Sequence, residues 1–250
     1  MRRLSWIAAC SLLLTACAAP LPQTPPSGMA GEVAAPAITL GATWRYAVTD
    51  GFTGLSRGTI QYQVAQITTD SVTVDVRTET QESQETYSRD WNWLVRPATN
   101  MQVFIYKPAY RAFDFPLVAG KKWVARSTAT DPEDGRSFPV RIEAEVLGWD
   151  RIKVPAGEFD ALKVRRHVFL DYWLQGVRGQ SIIRETDWYA PAVNQVARRE
   201  TTSRYLRLAQ QSVPLLLVRA RGNDRSDGDT LQRYEQDDWL VYELVQHSAR

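Results

Sequence analysis

Cysteine and histidine are almost absent from this chain, with two of each in 250 residues. Both cysteines, Cys10 and Cys17, lie at the very start, so the rest of the chain has neither a disulfide nor a free thiol. Its stability outside the cytosol must then come from its core. A triad hydrolase would have to use His167 as its base, and a zinc site built on two histidines would need both His167 and His247. His167 stands in the series Lys163, Arg165, His167, the polar parity of a strand, where a solvated or hydrogen-bonded histidine is expected. Charge surplus is lacking too: 30 basic residues face 28 acidic ones. That balance argues against nucleic acid and against a general affinity for anionic lipid, both of which call for a basic excess. Phosphate-binding loops are missing, since Gly51-Phe52-Thr53-Gly54 and Gly176-Val177-Arg178-Gly179 have neither the spacing nor the following helix.

No apolar run reaches the roughly 20 residues that a spanning helix needs. The longest stretch runs from Leu4 to Leu14, broken by Ser5 and Ser11, behind Arg2 and Arg3. A basic start, a short apolar run and small residues before a cut form the layout of a secretory signal peptide. Leu14-Thr15-Ala16-Cys17 resembles the lipobox of bacterial lipoproteins, which implies cleavage after Ala16 and diacylglycerol on the Cys17 thiol. An ordinary secretory signal cut at Ala16 or Ala19 is the alternative. Removal of residues 1–16 takes away two arginines and no acid, leaving bases and acids equal in number, so membrane attachment would come mostly from acyl chains. Ala18, where enteric lipoproteins retained in the inner membrane carry Asp, implies an outer-membrane location facing the periplasm.

Residues 17–37 hold five prolines together with Ala, Gly and Ser, and Glu32 is their only charge. Such a composition reads as a disordered, partly extended tether. Residues 38–250 read as one domain large enough for a real core. Ser71-Val72-Thr73-Val74-Asp75-Val76-Arg77 alternates polar and apolar, as does Val140 to Val146, which marks sheet with one buried face. Leu162, Val164, Val168 and Leu170 share a parity that Arg166 interrupts. Residues 43–49, 58–67, 180–189 and 239–245 are further candidate strands, separated by turn signals such as Asp50-Gly51 and Asp134-Gly135. Short helices are expected near Pro108 to Phe115 or Val213 to Arg221. A weak internal echo pairs Gly41-x-x-Trp44 with Gly120-x-x-Trp123, and Asp90-Trp91 with Asp187-Trp188. The expected fold is mainly β, a large antiparallel curved sheet or open half-barrel with few short helices.

Carboxylates could run glycoside hydrolysis without histidine, but among 28 acids any pair is easy to nominate. Asp131 to Gly135 reads as a hairpin turn. In the segment Asn223 to Asp229, Arg225 sits where a calcium loop wants an oxygen ligand. No catalytic residue, metal site or cofactor is therefore assigned. Arg198, Arg199, Arg204 and Arg207 form a local basic cluster that either meets lipid phosphates or is offset by neighbouring acids. Aromatics are the unusual abundance: eight of the nine tryptophans lie beyond the leader, with ten tyrosines. Such residues suit a cavity for a greasy or sugar ligand, or an interface, although they also serve as plain filling of a sheet core.

Val154-Pro155-Ala156-Gly157-Glu158-Phe159-Asp160-Ala161-Leu162-Lys163-Val164 resembles a signature of uncharacterised bacterial envelope proteins, the DUF3108-like families. Gly41, Trp44 and Tyr46 are similar to their opening Gly-x-x-Trp-x-Tyr. Trp188-Tyr189-Ala190-Pro191 is similar to their later Trp-Tyr-Ala-Pro, although the glycines that follow it there are replaced here by Ala192 and Asn194. The resemblance implies an antiparallel sheet curved like that of the carriers LolA and LolB, and it supplies no catalytic residues. The resulting expectation is a non-enzymatic outer-membrane lipoprotein that binds a lipid-like ligand through aromatics such as Trp44, Tyr46, Trp123, Trp188 and Tyr189. A docking subunit for an envelope protein and a glycan-acting enzyme are the alternatives.

Overall fold

The structure is a computed structural model of the chain, described over residues 20–97, 103–174, 177–208 and 232–248. Twelve antiparallel strands follow one another in order: β1 (Thr43–Asp50), β2 (Ser56–Ile67), β3 (Ser71–Thr78), β4 (Glu82–Ser88), β5 (Trp93–Pro97), β6 (Val103–Tyr110), β7 (Lys122–Thr130), β8 (Ser137–Val154), β9 (Gly157–Leu174), β10 (Val177–Ala190), β11 (Gln195–Leu208) and β12 (Gln232–Ser248). Each pairs with its neighbours in sequence, and β1 pairs with β12, from Thr43 opposite Ser248 to Asp50 opposite Leu240. The sheet is therefore a closed barrel, which corrects the expected open half-barrel. The reason is long-range: alternation specifies which face of a strand is buried, but only the pairing of the first strand with the last decides whether an edge remains.

Inside and outside follow the alternation. Val72, Val74 and Val76 of β3, Val140, Ile142 and Val146 of β8, and Leu162, Val164 and Val168 of β9 are all buried. Charge stands on the other parity: Arg165 of β9 and Lys122 of β7 both reach Glu145 of β8, and Arg198 of β11 reaches Glu200 and Glu243. A barrel that crosses a bilayer shows the reverse, apolar outside and polar within, so this wall is built to face water. About eight strands enclose a space that side chains just fill, and twelve enclose more. The wider lumen is what the large residues occupy, with Trp44, Trp91, Trp93, Tyr87, Tyr110 and Tyr189 among the most buried.

The turns fit their residues. Val154 pairs with Gly157 across Pro155-Ala156, so the Pro-Ala-Gly element is a tight hairpin corner. Asp50 accepts the Phe52 and Thr53 amides at 3.0 Å each, and Asp131 accepts Glu133 N–H at 2.8 Å, which secures the β1–β2 and β7–β8 turns. Gly41 and Gly120 take positive φ angles of 79° and 82° before β1 and β7, and each donates to a carbonyl of the adjoining strand, Val64 and Val146. The glycine echo thus marks equivalent places in two six-strand halves. The Asp-Trp echo does not, because Asp90-Trp91 lies between strands and Asp187-Trp188 within β10.

Two expectations are corrected. Residues 108–115 hold the end of β6 and an extended crossing rather than a helix, because Ala112 and Phe113 are drawn into the lumen end. The one helical turn among the described residues is a 3-10 turn, Pro191–Val193; the segment 213–221 lies outside them. Residues 20–37 also differ from a free tether. Pro22 accepts the Trp149 amide at 2.8 Å, and Gln23 donates to the Leu147 carbonyl at 2.9 Å. Val33 forms a two-way bridge with Leu117. Gly148 permits this approach, since a Cβ there would come within 2.7 Å of the Pro22 carbonyl. Residues 1–19, with Ala16 and Cys17, lie outside the described residues.

Candidate functional site

The two ends of the lumen are built differently. At the end where β2 passes to β3 and β8 to β9, the segment before β1 and the residues between β6 and β7 fold over the opening. Phe113, buried there, meets Phe115 and Tyr189 at 5.5 and 5.6 Å between ring centres. Tyr87 stacks on Trp91 at 4.4 Å, and Trp44 meets the Trp91 edge at 5.9 Å. Trp44 Nε1 donates to the Val193 carbonyl at 3.0 Å, and the Tyr46 hydroxyl donates to that of Val196 at 2.7 Å. Polar tips of large rings are thereby satisfied as they are buried. Only a cavity of about 40 Å³ remains among Trp44, Tyr46, Trp91 and Phe113, room for very little beyond water.

Across the middle of the lumen runs a set of ion pairs. Arg166 of β9 is fully buried and stands directly opposite Glu185 of β10, to which its Nε donates at 2.9 Å. Its other guanidinium nitrogens reach Asp187 at 2.6 Å and the Ala112 carbonyl at 3.2 Å. Asp187 stands in turn opposite Arg199 of β11, whose fork makes two parallel bonds of 2.6 and 2.9 Å to it. From the facing wall, Arg96 of β5 reaches Glu185 at 3.3 Å, and the Tyr110 hydroxyl donates to Glu185 at 2.7 Å. Glu85 of β4 accepts from the Tyr87 hydroxyl and from Trp93 Nε1. Three arginines thus pair with two acids, Glu85 is held by a phenol and an indole, and every carboxylate is hydrogen-bonded, the condition under which buried charge is tolerable.

Burial by itself would raise the Glu185 and Asp187 carboxyls. For Glu185 the charges of Arg166, Arg96 and Arg199 outweigh it, and for Asp187 those of Arg166 and Arg199, so both are held below the usual carboxylate range. A glycosidase acid needs the opposite perturbation, a proton retained near neutral pH. Burial pushes the Tyr106 phenol up to about 12, and the Tyr62 and Tyr242 phenols are likewise raised, chiefly by burial, so all three are neutral O–H donors at neutral pH.

Above this layer, among the described residues, the lumen widens. A cavity of about 480 Å³ occupies the end where β1 turns into β2 and β3 into β4. Val48, Ile60, Val76 and Leu240 form greasy walls. Its floor is made by Tyr62, Tyr242, Trp93, Glu85, Arg96 and Arg199, so it rests directly on the ion-pair layer. Arg57, Glu79, Gln81 and Asp238 also line it, so greasy walls lie between a charged floor and a polar rim, and its volume lies within the common range of about 300–1,000 Å³ for small-molecule sites.

The aromatics singled out in the sequence are not gathered in this cavity. Trp44 and Tyr46 line the small cavity at the closed end, and Tyr189 packs there on Phe113 and Phe115. Trp123 donates to the Arg111 carbonyl at 3.2 Å. Trp188 is on the outer wall, where its Nε1 meets Asp150 at 2.8 Å and its ring lies between Lys163 and Arg198, 4.5 and 5.2 Å from its centre. Strand alternation also divides the basic cluster: Arg198 faces out and Arg199 faces in. His167 lies on the outer wall, its pKa lowered by partial burial and by Arg165 and Arg184. Among the described residues no group of three or more metal-ligating side chains comes together; the segment 223–229 lies outside them.

Sequence reasoning missed the residues that matter most here. Arg166 was visible as a cation in an apolar parity, and Glu185, Asp187 and Tyr189 continue the parity of Ile183, which would place acids on a buried face.

No family model matches the chain, and no curated protein does. Solved structures give three likenesses. A candidate lipoprotein from Parabacteroides distasonis is 15% identical with a TM-score of 0.46, covering 84% of this chain and 96% of its own. A candidate exported protein of YmcC-like fold from Bacteroides fragilis is 12% identical with a TM-score of 0.46, covering 87% and 100%. The hypothetical lipoprotein YmcC of Escherichia coli is 10% identical with a TM-score of 0.37, covering 84% and 87%. Likenesses of this size carry no argument about what the chain does.

Proposed function

We propose that the protein is a non-enzymatic lipoprotein of the outer membrane, anchored by acyl chains on Cys17 and facing the periplasm, whose barrel binds one lipid-like ligand in its open mouth. The observation that carries the binding reading is the contrast inside the lumen: one end is packed with rings to about 40 Å³ of remaining space, while the other keeps about 480 Å³ between apolar walls. Twelve strands could have been filled throughout, and a barrel that served only as a scaffold would gain stability from filling its mouth as well. The volume is at the low end for small-molecule sites, which suits one acyl chain rather than the two of a phospholipid. The anchor reading rests on Leu14-Thr15-Ala16-Cys17 and the leader before it.

Two experiments test these parts separately. Palmitate labelling of the full chain in growing cells should be lost in Cys17→Ser; labelling that persists would reject the anchor. The chain from Ala18, which contains every described residue, would be secreted without its anchor and its native mass spectrum recorded without detergent. A co-purified amphiphile on the intact barrel is expected. A bare polypeptide that also refuses added single-chain amphiphiles would reject the binding reading.

A further inference from the structure

The floor of the mouth carries more hydrogen-bond donors than the protein uses. Arg199 spends two of its N–H donors on Asp187, and a guanidinium has about five, so the rest of its fork is uncommitted where it borders both cavities. Tyr62 and Tyr242 line the same two cavities, and neither hydroxyl makes a hydrogen bond to a described residue. The Thr201 hydroxyl oxygen, which borders the mouth, is buried without any partner. Leaving such a group unmet is unfavourable. At the floor the acceptors are engaged, since Glu85 already accepts two bonds and Glu185 and Asp187 face Arg166; the further acceptors of the cavity, Glu79, Gln81 and Asp238, stand at its rim, Asp238 beside Arg57.

The arrangement is also held in place. Asp187 orients Arg199 by a two-bond fork, and Trp93 lies under that guanidinium at 5.1 Å and under Arg96 at 4.0 Å. Arg199, Arg96 and the Tyr62 and Tyr242 hydroxyls therefore stand ordered at the bottom of the well, and the enclosed Thr201 hydroxyl would meet a ligand after a small side-chain shift. What such a floor lacks is a compact group rich in acceptors. What the walls of Val48, Ile60, Val76 and Leu240 lack is an apolar chain.

We propose that the floor of the mouth is a head-group subsite for a single-chain amphiphile ending in a carboxylate or a phosphate, held by Arg199, Tyr62, Tyr242 and Thr201 with Arg96 beside them. The proposal rests on the reading of the mouth as a lipid-like site and deepens it by naming the head group. It assigns the ion-pair layer a second role: besides carrying its own charge balance, it aims Arg199 upward.

The test is calorimetric titration of the chain from Ala18 with laurate, dodecyl phosphate and dodecanol, which share a tail and differ in head. The two anions are expected to bind at least about tenfold more tightly than the alcohol, as charge-assisted hydrogen bonds to a fixed fork require, and the tighter of the two identifies carboxylate or phosphate as the preferred head. Tyr62→Phe and Thr201→Val remove one hydroxyl each without changing the wall. Each is expected to weaken the preferred anion by about three- to tenfold and to leave dodecanol within twofold. Arg199→Lys, which keeps the charge and loses the fork, should weaken the anion further. If dodecanol binds as tightly as the anions and the two hydroxyl variants change nothing, the head-group subsite is wrong and the greasy well survives. If none of the three probes binds, the lipid-like reading falls and the subsite with it.

Discussion

At the closed end of the lumen, Phe113, Trp91 and Trp44 pack together, the Trp44 indole bonded to a carbonyl, and almost no space is left; at the mouth, Val48, Ile60 and Leu240 stand back from one another over a floor where Arg199, Tyr62 and Tyr242 keep donors unused. The same twelve strands build both ends, so the difference comes from their side chains and from the connecting residues that fold over the closed end, Phe113 among them. Among the described residues, one end is finished in the manner of a protein core, and the other stops short of it. Between them lies a charged layer that a stability argument alone does not require, since well-packed apolar residues often replace a buried ion set without loss. Its place directly beneath the open half connects it to whatever enters there.

That contrast can be broken in order of expected effect. Replacing Arg166 with Met leaves Glu185 and Asp187 buried without their shared cation and should cost about 3–5 kcal/mol in a urea unfolding series. A cost under 1 kcal/mol would mean that the layer is not a coupled unit. Leu244 and Leu240 then offer a comparison within β12. Leu244, wholly buried, should lose about 2–5 kcal/mol on change to Ala, whereas Leu240→Ala at the mouth should lose about 1 kcal/mol. Equal costs would show that the mouth is packed in solution as the closed end is.

Acid sharpens the comparison further. Glu185 and Asp187 have folded pKa values depressed below the unfolded ones, so the stability they contribute is present above the ordinary carboxylate range and is lost as pH falls through about 4 and below. Unfolding midpoints followed from pH 7 to pH 3 should fall most steeply at the lower end, and Glu185→Gln with Asp187→Asn should flatten that slope. Among the smallest expected effects is that at Thr201. Since its buried hydroxyl has no partner, Thr201→Val removes an unmet polar group and should raise stability by about 1 kcal/mol. A clear loss would show that the hydroxyl is bonded and the floor less open than described.

Much of the wall was legible in the sequence. Val72-Thr73-Val74 and Val140 to Val146 alternate cleanly because one face meets apolar side chains and the other meets water. The strands β4, β5 and β6 were harder: Trp91-Asn92-Trp93 has no alternation to read, and Pro108 sits inside β6 where a turn or helix start would be expected. Closure was not legible, because it is a contact between Thr43 and Ser248 that no local pattern encodes. The charged layer was half legible. Arg166, Glu185 and Asp187 each sit on an apolar parity, but their partnership depends on register across β9, β10 and β11 and on β5 facing them from the opposite wall. Trp188 shows the reverse problem: an aromatic beside a buried acid looks inward by type, and strand alternation sends it out.

The most direct test of the central claim is to fill the mouth and leave everything else. Leu240→Trp places a large ring in the well, on the wall where Leu240 stands opposite Thr201. The account predicts that the variant keeps its circular dichroism spectrum and unfolding midpoint and no longer binds laurate or dodecyl phosphate. A variant that stays folded and binds both as tightly as the parent would contradict the claim that ligand enters here.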